Sequence, residues 1–383
     1  MYAPTSTLLL EAAQSRLLSH FCKGVDIQSR RSHGGINYIV VEKQHASAAG
    51  VEGQKTLLLV HGFGSGLGFF LANYVWLSTS YSKVVAIDLL GMGGSDRPSL
   101  DKSPRISTLQ LAYKFMTGAH DRVDEVVVPQ STKFFTSSIE QFVREEEHLF
   151  PESSPFHVAA HSMGALVAWN YMLSADPKVH RPEALILLSP FGIPSPPLTA
   201  TRTTPSYALT TFRFLWENNV TPQQLVRLAG SQGRSMITNV LNRRFNSRWD
   251  KEELDLIAEY FYQITAAPAS GEYAMNSLMI PLSFADPETP GRTNTGIFAK
   301  RPISLDVESC SSPAAANFPP VLVLFGDHDW LRFPNVEDFV QRANAKGYRF
   351  HYRLISKAGH HLYLDNPDEV HAAIHEWRRA NKI

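Results

Sequence analysis

The sequence has little cysteine, no net charge and no long uninterrupted apolar run. Its 383 residues include two cysteines, Cys22 and Cys310, which excludes a disulfide-stapled scaffold and fits a reducing compartment. The 36 Lys and Arg residues balance the 36 Asp and Glu residues, so no global field attracts nucleic acid. The most apolar stretch, 57–77, contains His61, Asn73 and four glycines. It therefore predicts a buried strand and loop rather than a transmembrane helix.

The N-terminus also lacks the pattern of a secretory signal. It begins without positive charge, and its apolar run Leu8–Leu10 is too short for a signal core. Arg16 and Lys23 in an acid-poor context leave a transit peptide as an alternative, but a first amphipathic helix of the folded protein is preferred. We expect an intracellular protein, either cytoplasmic or peripheral on an organelle membrane, with a mitochondrial location as one alternative.

What the sequence does contain is a core-forming composition and a regular alternation of elements. Hydrophobic residues make up 44% and charged residues 19%, which excludes wholesale disorder. Strand-length apolar runs alternate with helical patterns such as Ser137–Phe150, Gly164–Ser174 and Val336–Ala345. The predicted strands are Ile36–Val41, Thr56–Val60, Lys83–Ile87, Phe156–Ala160, Ala184–Leu188, Val321–Phe325 and Tyr352–Ile355. This order predicts an α/β fold with a mostly parallel central sheet covered by helices on both faces.

Two segments interrupt this alternation. Residues 101–131 are polar without a clear period, and we interpret them as a surface insertion. The Pro-rich turn after Phe191 opens a mostly helical stretch with an irregular Pro- and Thr-rich tail. The prediction is one α/β core, residues 1–195 and 303–383, with an inserted helical cap at 196–302.

The strongest chemical signal is a serine between a predicted strand and a predicted helix. Ser162 has small residues two positions before it, Ala160, and two positions after it, Gly164. A nucleophilic serine on a sharp strand-to-helix turn needs such small neighbours so that the helix can approach the strand. The usual pattern has glycine at both positions, so Ala160 departs from it.

An acid and a histidine follow Ser162 in the chain order that such a site requires. A serine at its free pKa needs a base, and the base needs an orienting acid. Asp327 and Asp329 follow the predicted strand Val321–Phe325, and His360 and His361 follow the last predicted strand. All lie at the carboxyl ends of strands, where the ligand sites of open sheets form.

Within each pair the sequence favours one residue. Asp329 is preferred over Asp327, because a turn must follow Gly326 before a side chain can reach across, and Asp327 suits a turn-capping carboxylate. His360 is preferred over His361, since neighbouring side chains diverge and one of them faces the serine. His161 is interpreted as a packed structural histidine.

The glycine-containing turn after Val60 supplies candidate donors for an oxyanion. The backbone N–H groups of Phe63 and Met163 are the expected pair, because preorganised backbone donors suit a tetrahedral intermediate. Neither this turn nor the cluster beginning at Gly91 has the spacing of a phosphate-binding loop. We expect no cofactor and no metal. Supporting positions for the nucleophile and its loop are His61, Gly62, Gly64, Ala160 and Gly164.

Taken together, these segments resemble the α/β-hydrolase superfamily. The motifs are HGFGSG, DLLGMGGSDRP, AHSMG, SPFGIP, GDHDW and AGHHLYLD, with LWENNVTPQQLVRLAG, EYFYQITAAPASGEYAMN and FAKRPI in the cap. More narrowly, they resemble the lipid-acting subgroup of the cardiolipin-specific deacylase, the N-acyl-phosphatidylethanolamine lysophospholipase and the lipid-droplet lipase co-activator. The resemblance implies that Ser162 is the nucleophile, Asp329 the acid and His360 the base. His360 and Asp365 also match the H-x4-D box, which the subgroup links to acyl transfer; because His360 serves as base, Asp365 is interpreted as a helix cap.

The resemblance implies a serine ester hydrolase that releases an acyl chain from a phospholipid or lysophospholipid. Alternatives are a lysophosphatidic acid acyltransferase, a non-catalytic lipid-binding regulator of a lipase, and a small-molecule esterase or peptidase. We expect a lipid substrate and no transmembrane helix, with peripheral contact with a membrane or lipid-droplet surface as an alternative. Aromatic cap residues are expected mostly to pack the cap, a minority lining an acyl channel. Candidate contacts for a phosphate headgroup are Arg243, Arg244, Lys300 and Arg301.

Overall fold

The computed structural model describes most of the chain, and an eight-stranded sheet organises it. The described residues are 5–44, 55–100, 122–174, 176, 178–193, 207–245, 248–285, 293–309, 317–332 and 335–383. The strands are β1 Val25–Arg31, β2 Asn37–Lys43, β3 Thr56–Val60, β4 Lys83–Ile87, β5 Phe156–His161, β6 Ala184–Leu188, β7 Met279–Ala285, β8 Thr293–Ala299, β9 Val321–Gly326 and β10 Phe350–Ile355.

The sheet order is β1-β2-β4-β3-β5-β6-β9-β10, and β7 pairs with β8 in a separate antiparallel hairpin. The first two strands run antiparallel to their neighbours, and the other pairs in the large sheet are parallel. Parallel neighbours bring the carboxyl ends of β3, β5, β6, β9 and β10 to one edge. The predicted mostly parallel sheet is confirmed.

Helices cover both faces of this sheet. In chain order, the helices of the described residues are α1 Thr7–Phe21, α2 Tyr74–Ser80, α3 Arg122–Glu145, α4 Met163–Met172, α5 Tyr207–Glu217, α6 Pro222–Leu228, α7 Gln232–Phe245, α8 Lys251–Ala266, α9 Ala274–Leu278, α10 Ile303–Ser309, α11 Val336–Ala345, α12 Leu362–Asp365 and α13 Pro367–Asn381. No helix in the described part of the chain has the length and apolar character to cross a membrane.

Alternate side chains of each strand enter different cores. In β3, Leu58 and Val60 join the core that contains Trp169 of α4, whereas Leu57 and Leu59 join the core that contains Trp377 of α13. This period of two explains why the strands are almost continuously apolar: both faces are buried. Burial of each large side chain stabilises the fold by roughly 1.5–3 kcal/mol.

The structure differs from the predicted elements at three places. Residues 122–131, expected in an irregular insertion, form the first turns of α3, which buries Val127 and Val128; residues 101–121 lie outside the described residues. The expected irregular tail of the cap contains β7 and β8. The edge strand β1 was not predicted, because its sequence VDIQSRR is mostly polar.

The N-terminal segment forms part of the folded protein. Helix α1 begins after Ser6, whose side chain accepts a hydrogen bond from the N–H of Leu9, and its buried face includes Leu10 and Leu17. Cys22 at its end is buried, which raises the pKa of its thiol to about 12 and makes it a poor nucleophile. Cys310 lies outside the described residues.

Part of the segment between β6 and β9 packs on the loop that follows β3. Its helix α8 is placed by Tyr260, whose fully buried hydroxyl accepts a hydrogen bond from the N–H of Gly68 at 3.1 Å. It contributes no strand to the large sheet within the residues described. The predicted cap boundaries at 195/196 and 302/303 stay predictions, and the first falls outside the described residues.

Candidate active site

Ser162 stands on a sharp turn between β5 and α4. Its backbone has φ 53° and ψ −119°, a left-handed conformation that costs a non-glycine residue roughly 1–3 kcal/mol. Backbone hydrogen bonds hold it there: the Ser162 N–H donates to the Leu188 carbonyl at 3.0 Å, and the N–H groups of Ala165 and Phe191 donate to the Ser162 carbonyl at 3.0 and 3.1 Å. The turn lifts the hydroxyl away from the sheet edge.

Small residues are required around Ser162 because the loop after β3 passes very close to the turn between β5 and α4. A Cβ on Gly164 would lie 2.3 Å from the carbonyl oxygen of His61, so α4 packs directly on the loop after β3. A Cβ on Gly62 would lie 3.0 Å from the Cβ of Ser162. Ala160 is fully buried, so this position accommodates a methyl group where the usual pattern has glycine.

Three side chains from distant parts of the chain form one hydrogen-bonded series. The Nε2 atom of His360 lies 3.0 Å from the Ser162 hydroxyl oxygen, and its Nδ1 atom lies 3.1 Å from Oδ1 of Asp329. Asp329 is 6% exposed, and its Oδ1 also accepts a hydrogen bond from the N–H of Leu331 at 2.9 Å. The structure thus brings together the three residues predicted for a triad.

The environment of Asp329 favours its ionised form. Burial raises the pKa of this carboxyl, but the hydrogen bond and charge of His360, the nearby Ser189 hydroxyl and the Leu331 N–H outweigh burial, so the pKa lies below its ordinary value. An ionised carboxylate at Nδ1 orients the imidazole with Nε2 toward Ser162.

Asp327 serves the histidine loop instead. Its carboxylate accepts hydrogen bonds from the N–H groups of Lys357 and Ala358, each at 2.9 Å, and its Oδ1 lies 2.6 Å from Nδ1 of His328. Partial burial raises its pKa, but these hydrogen bonds lower it to about 2. Asp327 therefore caps the loop that leads to His360, the alternative role considered for it.

The other two histidines near Ser162 are buried beside the candidate base. The Nε2 atom of His161 donates to the backbone carbonyl of His360 at 2.9 Å, and burial holds the pKa of His161 well below its ordinary value. The ring of His361 packs against Phe69 at 5.9 Å between centroids, and burial lowers its pKa to about 3.

The two candidate oxyanion donors come from the start of α4 and from the loop after β3. Met163 is the first residue of α4, where N–H groups have no intrahelical acceptor, and Phe63 lines the cavity described below. His61 fixes the loop: its Nε2 accepts the N–H of Leu89 at 2.9 Å, and its Nδ1 donates to the Gly62 carbonyl at 2.7 Å. This pairing defines a neutral tautomer, consistent with burial lowering the pKa of His61.

Two further residues support the site and were not predicted from the sequence. Asp88 is fully buried and accepts hydrogen bonds from the N–H groups of Leu67 and Gly94, at 2.7 and 2.8 Å, so it joins the two glycine-containing loops. Ser189, at φ 45°, ends β6 beside Asp329. The only signal for either was its place just after a buried strand. Gly64, with φ 69°, lies in the loop after β3 in a backbone conformation that favours glycine.

A cavity of about 1380 Å³ opens beside His360. It exceeds the ~300–1,000 Å³ usual for sites that hold drug-sized ligands. Most of its lining is apolar and comes from α6, α7 and α8 together with the loops after β3 and β9. The apolar lining residues are Phe63, Phe69, Pro222, Leu225, Val226, Met236, Ile237, Val240, Leu241, Phe245, Phe261, Trp330 and Ala358. Of the aromatic residues expected in the cap, Phe245 and Phe261 line this cavity, whereas Trp216 and Tyr260 are buried in packing.

The fold and the serine turn are those of a hydrolase class built on a mostly parallel sheet. The family model described as "Alpha/beta hydrolase family" matches residues 57–373, and the chain belongs to this family. This confirms the resemblance drawn from the motifs.

Named relatives with similar sequences come from the same lipid-related group. The 1-acylglycerol-3-phosphate O-acyltransferase of Arabidopsis thaliana is 28% identical over 406 residues, which covers 97% of this chain and 81% of that protein. The (lyso)-N-acylphosphatidylethanolamine lipase of Bos taurus is 25% identical over 333 residues, covering 84% and 78%. The carboxylesterase CesB of Bacillus subtilis is a structural neighbour with a TM-score of 0.53, 15% identity and 97% coverage of both chains, and it supports the fold alone.

Proposed function

We propose that this protein is a serine carboxylic ester hydrolase that releases an acyl chain from a phospholipid or lysophospholipid. The observation that carries the proposal is the series Ser162–His360–Asp329 beside a large apolar cavity. An ester bond placed at the serine would have room for its acyl chain against α6, α7 and α8. The proposed cap is the segment 196–302, and no cofactor or metal takes part in the steps below.

In the proposed reaction His360 acts first as base and then as acid. Its Nε2 atom takes the proton of the Ser162 hydroxyl while the serine oxygen attacks the ester carbonyl carbon. Asp329 keeps the imidazole oriented and stabilises its protonated form. The proton then passes to the leaving alcohol, and an acyl-enzyme ester remains on Ser162. A water molecule, deprotonated by the same Nε2, attacks this ester; the proton then passes from Nε2 to the Ser162 oxygen as its bond to the acyl carbon breaks, and the fatty acid leaves.

The negative oxygen of each tetrahedral intermediate would lie between the N–H groups of Met163 and Phe63. The Met163 N–H lies at the start of a helix, and the Phe63 N–H belongs to a loop held by His61 and Gly62. Both donors are therefore in place before substrate arrives. Preorganised donors of this kind lower the barrier by roughly 3–4 kcal/mol each.

A lipid substrate is favoured over a small ester by the size and apolar lining of the cavity. Leu225 and Val240 line it and are also 49% and 58% exposed, so the cavity rim presents aliphatic side chains to the outside. Such a rim suits peripheral contact with a membrane or lipid-droplet surface. The relative named as a lipase of an N-acylphosphatidylethanolamine supports the same substrate class.

Acyl transfer to a lysolipid is the second candidate, and the relative named as an acyltransferase favours it. In that reaction a lysophosphatidic acid hydroxyl replaces water in the second step, and the acyl-enzyme and the triad are unchanged. The two reactions therefore differ in the acceptor and not in the role of Ser162.

Product analysis tests both candidates. Purified protein is incubated with phospholipids and lysophospholipids, then with labelled acyl-CoA plus lysophosphatidic acid, and the Ser162→Ala variant is the control. We expect free fatty acid that depends on Ser162. Label appearing in phosphatidic acid would favour transfer instead, and no Ser162-dependent product from any lipid would reject both.

A further inference from the structure

The cavity has a charged end beside the histidine loop. Among the described residues that line it, Arg244, Arg248 and Lys357 carry positive charge and Asp365 carries negative charge. The rest of the lining is mostly apolar, so the cavity has the polarity of an amphiphile with an anionic end. Among these lining residues the three cations outnumber the one carboxylate.

Arg244 is a cation that the structure holds beside the loop carrying His360. One of its Nη atoms pairs with Oδ2 of Asp365, and its guanidinium carbon lies 4.7 Å from the ring centroid of Phe245. The same Oδ2 atom accepts the N–H of Gly359 at 2.8 Å, and the Asp365 side chain is 9% exposed. The side chain of Arg244 itself is 40% exposed, so an incoming anion can reach it.

The sequence predicts that Asp365 caps the following helix, and this prediction is wrong. The cap of α13 is Asn366, whose side chain accepts the N–H of Glu369. Asp365 instead links Arg244 of the cap to Gly359, and its backbone carbonyl accepts a hydrogen bond from Arg248 at 2.7 Å. Asp368 and Glu253 also lie near Arg248, which makes Arg244 the better candidate for binding an anion.

Arg244 lies against the residue that precedes the candidate base. A Cβ on Gly359 would lie 3.2 Å from Nη2 of Arg244, and Gly359 directly precedes His360. The guanidinium thus lies beside the loop that carries the base in contact with Ser162. In a lysophospholipid three glycerol carbons separate the ester oxygen from the phosphate oxygen, so the phosphate also lies close to the bond that would react.

We propose that Arg244 binds the phosphate of the substrate, and that Asp365 is a positioning residue that aims Arg244 rather than a group in proton transfer. This inference rests on the proposed lipid esterase function. A guanidinium carries five N–H donors in a planar fork, so contact with Asp365 leaves donors for a phosphate. The phosphate would then place the ester at Ser162 while the acyl chain occupies the apolar part of the cavity.

A matched pair of lipids tests this assignment. Oleoyl lysophosphatidic acid and monooleoylglycerol carry the same ester, and the phosphate is what distinguishes them. Arg244→Gln is expected to raise the KM for lysophosphatidic acid by about 10- to 100-fold, with kcat and the monooleoylglycerol reaction changed less than about threefold. Arg244→Lys keeps the positive charge but loses the planar fork of donors, so its KM for lysophosphatidic acid should lie between those of the parent enzyme and Arg244→Gln. Asp365→Asn should raise the same KM by a smaller factor.

Arg243→Gln is the control, because Arg243 is exposed on the same helix and does not line the cavity. It should behave as the parent enzyme. Equal loss on both lipids for Arg244→Gln, or the same KM rise for Arg243→Gln, would overturn the inference.

Binding separates this inference from the proposed function. Calorimetry compares lysophosphatidic acid binding to Ser162→Ala protein with and without Arg244→Gln. Weaker binding in the double variant supports the phosphate site even if neither lipid is hydrolysed. Equal binding contradicts it even if hydrolysis is observed.

Discussion

The ring of His161 donates a hydrogen bond to the backbone carbonyl of His360 at 2.9 Å, although 199 positions separate the two residues. The residue before the candidate nucleophile therefore holds the residue that would act as its base. His161 is 2% exposed and stays neutral because of burial, so it can donate without competing for the proton.

Removing this donor should misplace His360. In His161→Phe the ring packing is kept, but the His360 carbonyl loses its partner. We expect kcat to fall by roughly 10- to 100-fold, because a displacement of about 1 Å is enough for such a loss, with KM little changed. His161→Gln, which keeps a donor, should recover part of the rate. Ester hydrolysis kinetics check both variants, and an unchanged kcat in His161→Phe would show that the bond is dispensable.

Asp329 and Asp327 should differ sharply when each is made neutral. Asp329→Asn removes the carboxylate at Nδ1 of His360, and kcat should fall by roughly 10³- to 10⁴-fold. Asp327→Asn weakens the bonds to the Lys357 and Ala358 N–H groups, so it should lower the melting temperature by about 1–3 °C and leave kcat within a few fold. Parallel kinetics and calorimetry measure these effects. A larger rate loss in Asp327→Asn would reverse the assignment.

Filling the cavity should change the preferred chain length. Ile237 is buried and lines the cavity, so Ile237→Trp would occupy space proposed for the acyl chain. We expect kcat/KM for long-chain lysophospholipids to fall at least about tenfold, while short p-nitrophenyl esters react at the parent rate. Asn242→Trp, an exposed change on the same helix, is the control. Equal losses for long and short esters would argue against an acyl site here.

His371 should make stability depend on pH. It is 6% exposed, its Nε2 donates to Asn73 at 3.0 Å, and burial lowers its pKa to about 4 although Asp368 raises it. The unfolded chain takes up this proton near pH 6.5 and the folded chain near pH 4. The stabilisation is thus present above pH 6.5 and is lost as the pH falls, by at most about 3 kcal/mol.

Denaturant unfolding between pH 7.5 and 4.5 measures that slope. His371→Gln keeps a donor for Asn73 but does not titrate, so its free energy of unfolding should fall less steeply toward acid. His375→Gln, exposed one turn further along α13, should keep the parent slope. If the free energy of unfolding fell equally steeply toward acid in all three proteins, the buried His371 would not be the source of the pH dependence.

The sequence predicted the central strands well because they are buried on both faces. Thr56–Val60, Lys83–Ile87 and Ala184–Leu188 begin and end where the apolar runs do. The strand β1 has a polar sequence and is defined by its pairing with β2, which no local pattern reveals. Helix α3 was predicted to begin too late, because Pro129 and polar neighbours obscure its first turns.

The candidate site was also predicted unevenly, for a physical reason. The chain order of Ser162, Asp329 and His360 follows from strand ends meeting at one edge, so sequence alone placed them together. The link from Arg244 through Asp365 to Gly359 depends on how the last turn of α7 meets the histidine loop. That contact joins segments more than 100 positions apart, and neither segment carries a local signal for it.

Labelling by a fluorophosphonate probe tests the central claim most directly. The probe reacts with a serine hydroxyl only when a base activates it and an oxyanion site receives the phosphonyl oxygen. Mass spectrometry of the labelled protein should place the adduct on Ser162, with no adduct in Ser162→Ala and labelling slowed by at least about 10²-fold in Asp329→Asn. A folded protein that remains unlabelled, or that carries the adduct on another serine, would contradict the account.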